Sequence, residues 1–278
     1  MNLTIHWRGR EIACAFHAAQ FNVRSVIGKM MTEERIEKEE LEEKALIRKY
    51  FENIEKGFFI EVGANEPTSI FSQTWHLEKL GWSGLLIEPN KELFEDIVVS
   101  RPNSKVLNVA CSSPSQVGFA ELKIPYINGC IDTGKAALET KIDHGGFQKY
   151  RTQQVRVVTL DSILNDNKVD KIDFISIDVE GTELDVLLGF NIMKYRPKLI
   201  LIEDRLVFLN KHRYLKKNGY RLVKRTGFNN WYIPKELQFR YSSTKERIRI
   251  FKKLYISLFI RKIKESLVMK SLGPLKEI

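Results

Sequence analysis

Four groups of residues have the types and spacing that chemistry requires. The first is Glu61, Val62, Gly63, Ala64 and Asn65, which follow the apolar run Phe58, Phe59, Ile60. A glycine directly after a strand lets a ligand or a tight turn approach the backbone, because no Cβ stands in the way. The full G-x-G-x-x-G fingerprint is absent, and so is the Gly-Lys-Ser/Thr ending of a Walker loop. Acids at such a turn disfavour a phosphate and suit a ligand with a cationic or hydroxyl-rich portion. The second group is a single acid. Glu88 closes the run Leu85, Leu86, Ile87 one unit later. An acid there can accept hydrogen bonds from both hydroxyls of a ribose. The glycine turn and this acid together permit either NAD or S-adenosylmethionine.

The third group is Asp178, Val179, Glu180, Gly181, Thr182 and Glu183, at the end of another β-branched run. Ligands of open α/β sheets sit at that edge, and gathered carboxylates are costly there unless they meet cations or hold protons. Asp178 is the candidate facing a reacting centre. Glu180 or Glu183 would organise the turn, and helix capping is the competing role for the whole group. The fourth group, Glu203 and Asp204, ends the run Leu199 to Ile202. Asp178, Glu203 and Asp204 from adjacent strand ends would make a hard oxygen site for Mg²⁺ or another divalent cation. Such an ion could hold a substrate diol and lower its pKa. A salt bridge between Asp204 and Arg205 is the plainer alternative. His144, between Asp143 and Gly145, is the histidine best placed to act as a general base; its rival reading is a loop histidine with no chemical role. His76 and His212 read as structural.

These groups need a scaffold that brings strand ends together. Short apolar strands alternate with helical segments: residues 58–62, 84–88, 105–110, 154–158, 172–177 and 199–203 read as strands. The alternation predicts a mostly parallel sheet covered on both sides. Helices are expected over residues 33–54, starting at a Thr32 cap, and over 68–80, 90–99 and 211–217. Residues 219–224 and 230–233 predict a closing hairpin around Gly227. Residues 111–153 interrupt the rhythm, with one strand expected over 119–124 and a lid as one role for the remainder. Residues 1–29 are weakly patterned, with a short hairpin around Gly9. The resulting division is a cover segment and helix over 1–54, a nucleotide-binding α/β domain over 55–235, and a tail over 236–278.

The chain has 278 residues and a formal charge of +10, from 45 Lys and Arg against 35 Asp and Glu. Ten basic and three acidic residues fall between positions 241 and 278, a net of +7. The main domain is therefore nearly balanced and gives no charge argument for nucleic acid. Within the tail, apolar residues from Ile248 to Leu267 recur at helical spacing among lysines and arginines, which predicts a basic amphipathic helix. Docking on its own domain or a partner competes there with an anionic membrane surface. The three cysteines form no CxxC pair and no zinc spacing; Cys111 reads as a buried small hydrophobe. No segment resembles a signal peptide or reaches the length of a transmembrane helix. The expectation is a cytoplasmic protein, peripheral at the inner membrane face if the tail binds lipid, with homo-oligomer formation left open.

Taken in order, the motifs resemble the FkbM family of S-adenosylmethionine-dependent methyltransferases. The resemblance covers roughly residues 55–235. It rests on Phe59 to Asn65, on Leu80, Gly81, Trp82, Ser83 and Gly84 leading to Glu88, Pro89 and Asn90, on Thr159, Leu160 and Asp161, on Ile177 to Leu187, and on Ile200 to Glu203. It implies a Rossmann-like class I methyltransferase fold: a seven-stranded, mostly parallel sheet whose antiparallel last strand pairs beside the fifth. It selects S-adenosylmethionine over NAD. By the same likeness Glu61, Gly63 and Asn65 line the methionine side of the cofactor and Glu88 holds the ribose. Asp178 matches the acid near the methyl-transfer centre, and Glu203 the acid at the following strand end. Glu66 and Pro67 depart from the acid and glycine common in relatives, and Glu61 replaces the commoner aspartate. The implied reaction is O-methylation of a glycan or lipid-linked sugar. A protein or small-metabolite acceptor and a non-catalytic scaffold are the alternatives.

Overall fold

The structure, a computed structural model, describes residues 23–127, 130–131, 136–138, 150–204, 206 and 208–257. Side chains of the first helix are described from residue 34 onward. His144, the hairpin expected around Gly9 and the end of the basic tail lie outside the described residues. Helix α1 (Val23–Tyr50) leads to β1 (Phe58–Val62), α2 (Trp75–Glu78), β2 (Ser83–Ile87), α3 (Lys91–Ser100) and β3 (Lys105–Leu107). An excursion follows: β4 (Ala110–Cys111), β5 (Gly118–Ile127), β6 (Cys130–Ile131), β7 (Ala137–Leu138) and β8 (Tyr150–Val158). The chain then returns through α4 (Leu160–Asp166), β9 (Phe174–Ile177), α5 (Glu183–Leu188), α6 (Ile192–Tyr195), β10 (Leu199–Glu203), α7 (Asn210–Lys217), β11 (Tyr220–Thr226), β12 (Asn229–Pro234) and α8 (Thr244–Phe251).

Seven strands form one sheet in the order β11-β12-β10-β9-β1-β2-β3. From β10 to β3 all neighbours are parallel, while β12 runs antiparallel to both β10 and β11. The period of two along each strand builds two cores. Ile60 and Val62 of β1, Ile175 and Ile177 of β9, and Ile200 and Ile202 of β10 point to one face, where α4 and α5 cover them. Phe59, Phe174, Leu199 and Leu201 point to the other, against Ile47 and Phe51 of α1 and Ile97 of α3. A central strand buried on both faces reads as a continuous apolar run, as these do.

Three expectations are corrected. Helix α1 runs through Thr32 instead of starting at it. The helix expected over 68–80 shrinks to the single turn of α2. Its upstream residues are held by side-chain bonds: Ser72 Oγ and Gln73 N–H donate to the Glu61 carboxylate at 3.1 and 2.7 Å. Such local bonds compete with the helix ladder. The third strand also ends early. Asn108 Nδ2 donates to the Glu88 and Pro89 carbonyls, both at 2.9 Å, and Ala110 and Cys111 pair instead with β8.

The excursion holds more strand than one segment. β5 and β8 pair antiparallel over eight residues, β4 and β7 extend them, and Leu122, Ile124, Val155 and Val157 close a small core of their own. Cys111 is a buried free thiol, and burial pushes its pKa up to about 12. No helix among the described residues is long and apolar enough to cross a membrane.

Candidate active site

The carboxyl ends of β1, β2, β9 and β10 open into a cleft of about 510 Å³, a size that suits a small-molecule ligand. Helix α1, the excursion around β5 and β7, and the turn between β11 and β12 complete its walls. Gly63 lies at the centre of this seam with φ +83°. A Cβ there would stand 1.8 Å from the Asp178 carbonyl oxygen. The glycine is thus required by the protein's own backbone as well as by a left-handed turn. The turn continues as Gly63 and Ala64 N–H donate to the Ile87 carbonyl at 2.9 and 3.1 Å. Asn65 follows, also left-handed at φ 50°.

Glu88 is where the sequence places it, at the end of β2 and on the cleft wall. The N–H groups of Asn65 and Asn90 donate to its two carboxylate oxygens, each at 2.8 Å. Each oxygen keeps a further lone pair for a ligand hydroxyl. Burial raises the Glu88 pKa to about 7; the two N–H donors oppose the rise and nearby Glu61 adds to it.

Glu61 also borders the cleft, yet its carboxylate is committed inward. Besides Ser72 and Gln73, the Thr74 hydroxyl and Arg101 donate to it. Arg101 is fully buried and lies 2.7 Å from Glu78 and 3.4 Å from Glu61. It also donates to the Ser72 and Thr74 hydroxyls. Glu61 therefore fixes residues 72–74 and shapes the cleft. Sequence reasoning missed Arg101, whose partners stand 23 and 40 residues away. A lone arginine after a helix carries no local sign of such a role.

Across the seam, Asp178, Glu180 and Glu203 bring carboxylate oxygens within 4.8 Å of one another. Asp178 is open to solvent through the cleft while protein surrounds it on the other sides. That enclosure, then the like charge and hydrogen bond of Glu203, raise its pKa well above the ordinary carboxylate range. Because water reaches Asp178, the neighbouring charge is the firmer of these causes. Glu180 occupies the left-handed region with φ 53°, followed by Gly181 at φ 108°.

Glu183 organises this turn: its carboxylate accepts from Gly181 N–H at 2.7 Å and pairs with Lys211 at 2.8 Å. Asp204 stands apart from the trio. It accepts from Leu206 N–H and pairs with Lys211 at 3.4 Å. Among the described residues its ionic partner is Lys211, Arg205 lying outside them, and Glu180 takes the place beside Asp178 and Glu203 that the sequence suggested for Asp204.

A second unanticipated contribution comes from α1. Glu39 and Glu40 line the cleft, and Gln73 Nε2 donates to Glu40 at 2.9 Å. One turn further on, Trp231 Nε1 and Asn229 Nδ2 donate to buried Glu43 at 2.6 and 2.7 Å, tying the helix to β12.

The strand order, with one reversed strand inserted beside β10 and an acid-lined cleft at the parallel strand ends, defines the architecture of Rossmann-like methyltransferases. The family model described as the methyltransferase FkbM domain matches residues 61–222, more than half of the chain, and the chain belongs to that family. Among solved structures it is similar to a methyltransferase FkbM from Methylobacillus flagellatus KT, at 15% identity and a TM-score of 0.41 over 64% of this chain and 44% of that one. It is also similar to a precorrin-6y C5,15-methyltransferase from Geobacter metallireducens GS-15, at 10% identity and a TM-score of 0.36 over 68% and 85% of the two chains. The chain thus spans less than half the length of the first of these. No curated protein matches it.

Proposed function

We propose that this protein transfers a methyl group from S-adenosylmethionine to a hydroxyl of a glycan or lipid-linked sugar. One observation carries the reading: Asp178, open to solvent and grouped with the Glu180 and Glu203 carboxylates, faces the same cleft as the Glu88 ledge. When bound, the cofactor supplies an electrophilic methyl group on a cationic sulfonium. The residues fit such a ligand. Acids dominate the charged lining, which favours a cation. The buried Oδ1 of Asn65 has no hydrogen-bond partner among the described residues, so an acceptor is available at the glycine turn.

In this reading Glu88 accepts from the ribose hydroxyls, while Gly63, Asn65 and the loop fixed by Glu61 border the methionine side. In its ionised form Asp178, with its raised pKa, is a stronger base than an ordinary carboxylate and takes the proton of the acceptor hydroxyl as the hydroxyl oxygen bonds to the methyl group and the sulfonium leaves as a thioether. The charge of Glu203 adds to that basicity. Ile36, Phe71 and Phe228 at the cleft wall set apolar surface beside carboxylates, which suits the mixed faces of a sugar. The Asp178, Glu180 and Glu203 trio is also where a divalent cation would bind.

Calorimetry on the folded protein tests the cofactor. S-adenosylmethionine should bind, and Glu88→Ala should weaken it by about tenfold or more, the loss of hydrogen bonds to a charged group. Absence of binding to the wild-type protein overturns the proposal and leaves the scaffold reading. Labelled methyl transfer to glycan extracts tests the acceptor, with protein and metabolite fractions as the competing outcomes. Full turnover after complete chelation rejects the cation.

A further inference from the structure

A second cavity, of about 570 Å³, lies between α7, β11 and α8. It sits at the open end of the β11–β12 hairpin, whose turn borders the catalytic cleft. We propose that this groove docks the anionic headgroups of a phospholipid membrane surface.

The charge of the groove is one-sided. Lys216, Arg221, Lys235, Arg240 and Arg247 line it, and no carboxylate of the described residues does. The acids nearest in sequence are already neutralised by cations outside the lining. Glu236 pairs with Arg196 at 2.8 Å, and Glu246 pairs with Lys224 while completing the Ser243 capping box of α8. Among the five groove cations, Arg221 donates to the Leu237 carbonyl and Lys216 stands over the Tyr255 ring. Neither contact offsets charge. Five cations with no acidic partner among the described residues, set around one concavity, make a focused positive potential.

The floor and rim then choose among polyanions. Val223, Phe239 and Leu254 form an apolar floor. On the adjoining surface Ile248, Phe251 and Ile256 are exposed, each more than two-fifths so. Phosphates of a nucleic acid would satisfy the cations and Phe251 could meet a base, yet Ile248 and Ile256 would be left in water. Headgroups over an acyl boundary satisfy both, because cations meet phosphate while apolar side chains enter the interface. Three of the five cations, Lys216, Arg221 and Lys235, precede the tail, so the site is broader than the basic tail alone.

Flotation of the full chain with vesicles tests this. The protein should bind phosphatidylcholine vesicles containing phosphatidylglycerol, release from them in high salt, and ignore pure phosphatidylcholine. The triple variant K235Q/R240Q/R247Q should lose on the order of a hundredfold in partitioning, as expected for three interfacial cations. These side chains are exposed, and an unchanged circular dichroism spectrum and thermal midpoint would verify the fold. Equal binding by variant and wild type overturns the proposal. So does groove-dependent binding of an oligonucleotide or inorganic phosphate without vesicle binding. It stands apart from the methyl-transfer reading, because its readout involves no cofactor.

Discussion

Two carboxylate clusters occupy neighbouring strand ends, and they are built on opposite principles. Glu61, at the end of β1, sits in a buried network with a fully buried arginine and a full set of donors. Asp178, directly after β9, faces like charges across an open cleft. Their backbones touch, since Asp178 N–H donates to the Val62 carbonyl at 3.0 Å. The first arrangement removes reactivity, because four donors, a buried guanidinium among them, hold the Glu61 carboxylate. The second leaves a carboxyl open to the cleft, with a pKa that neighbouring acids raise. Acids a few ångströms apart are thus placed in a closed network and in an accessible cluster.

The comparison breaks most readily at Arg101. Arg101→Met should leave two buried carboxylates unpaired and cost about 3–5 kcal/mol, read as a lowered midpoint in urea denaturation. A loss under about 1 kcal/mol would mean that the network is slack. Asp178→Asn should do the reverse: turnover falls by at least ~100-fold while stability changes by less than about 1 kcal/mol, since a repulsive charge is removed. If both variants unfold alike, the division between the clusters is lost.

A smaller effect belongs to Glu43. Burial raises its pKa from 4.5 to about 7, against hydrogen bonds from Trp231 and Asn229 that lower it. The folded state therefore holds the proton more tightly than the unfolded state. Its stability contribution is greatest below pH 4.5 and declines as pH rises to about 7. Glu43→Gln should flatten the thermal midpoint across that window by the equivalent of about 2 kcal/mol. An unaltered pH profile would show that this carboxylate is charged throughout.

Strands buried on both faces were the most legible part of the chain. The bounds of β1 and β10 follow from the runs Phe58 to Val62 and Leu199 to Glu203, because central strands admit little besides apolar residues. The reversed strand came from the family resemblance, and its antiparallel register with β10 agrees. The residues at strand ends were legible as well, since each acid stands where an apolar run stops. The meaning of each acid was not. Glu61 and Asp178 look alike in sequence, and only contacts to Arg101, Ser72 and Thr74 separate them. Residues 68–74 depart from the expected helix for the same reason: a carboxylate several positions upstream holds residues 72–74 against their own propensity. In the excursion, turn formers hid the pairing of β5 with β8, which joins positions from Pro125 and Tyr150 to Gly118 and Val157, far apart in the chain.

The tie from Glu43 to Trp231 and Asn229 also bears on how the protein is handled at the bench. Residues 61–222 are what sequence similarity marks out, but neither end of that tie falls inside them. A fragment trimmed to those limits would lose β12 from the sheet and α1 from the cleft wall, exposing Phe174, Leu199 and Leu201. The unit that similarity recognises is smaller than the unit that folds.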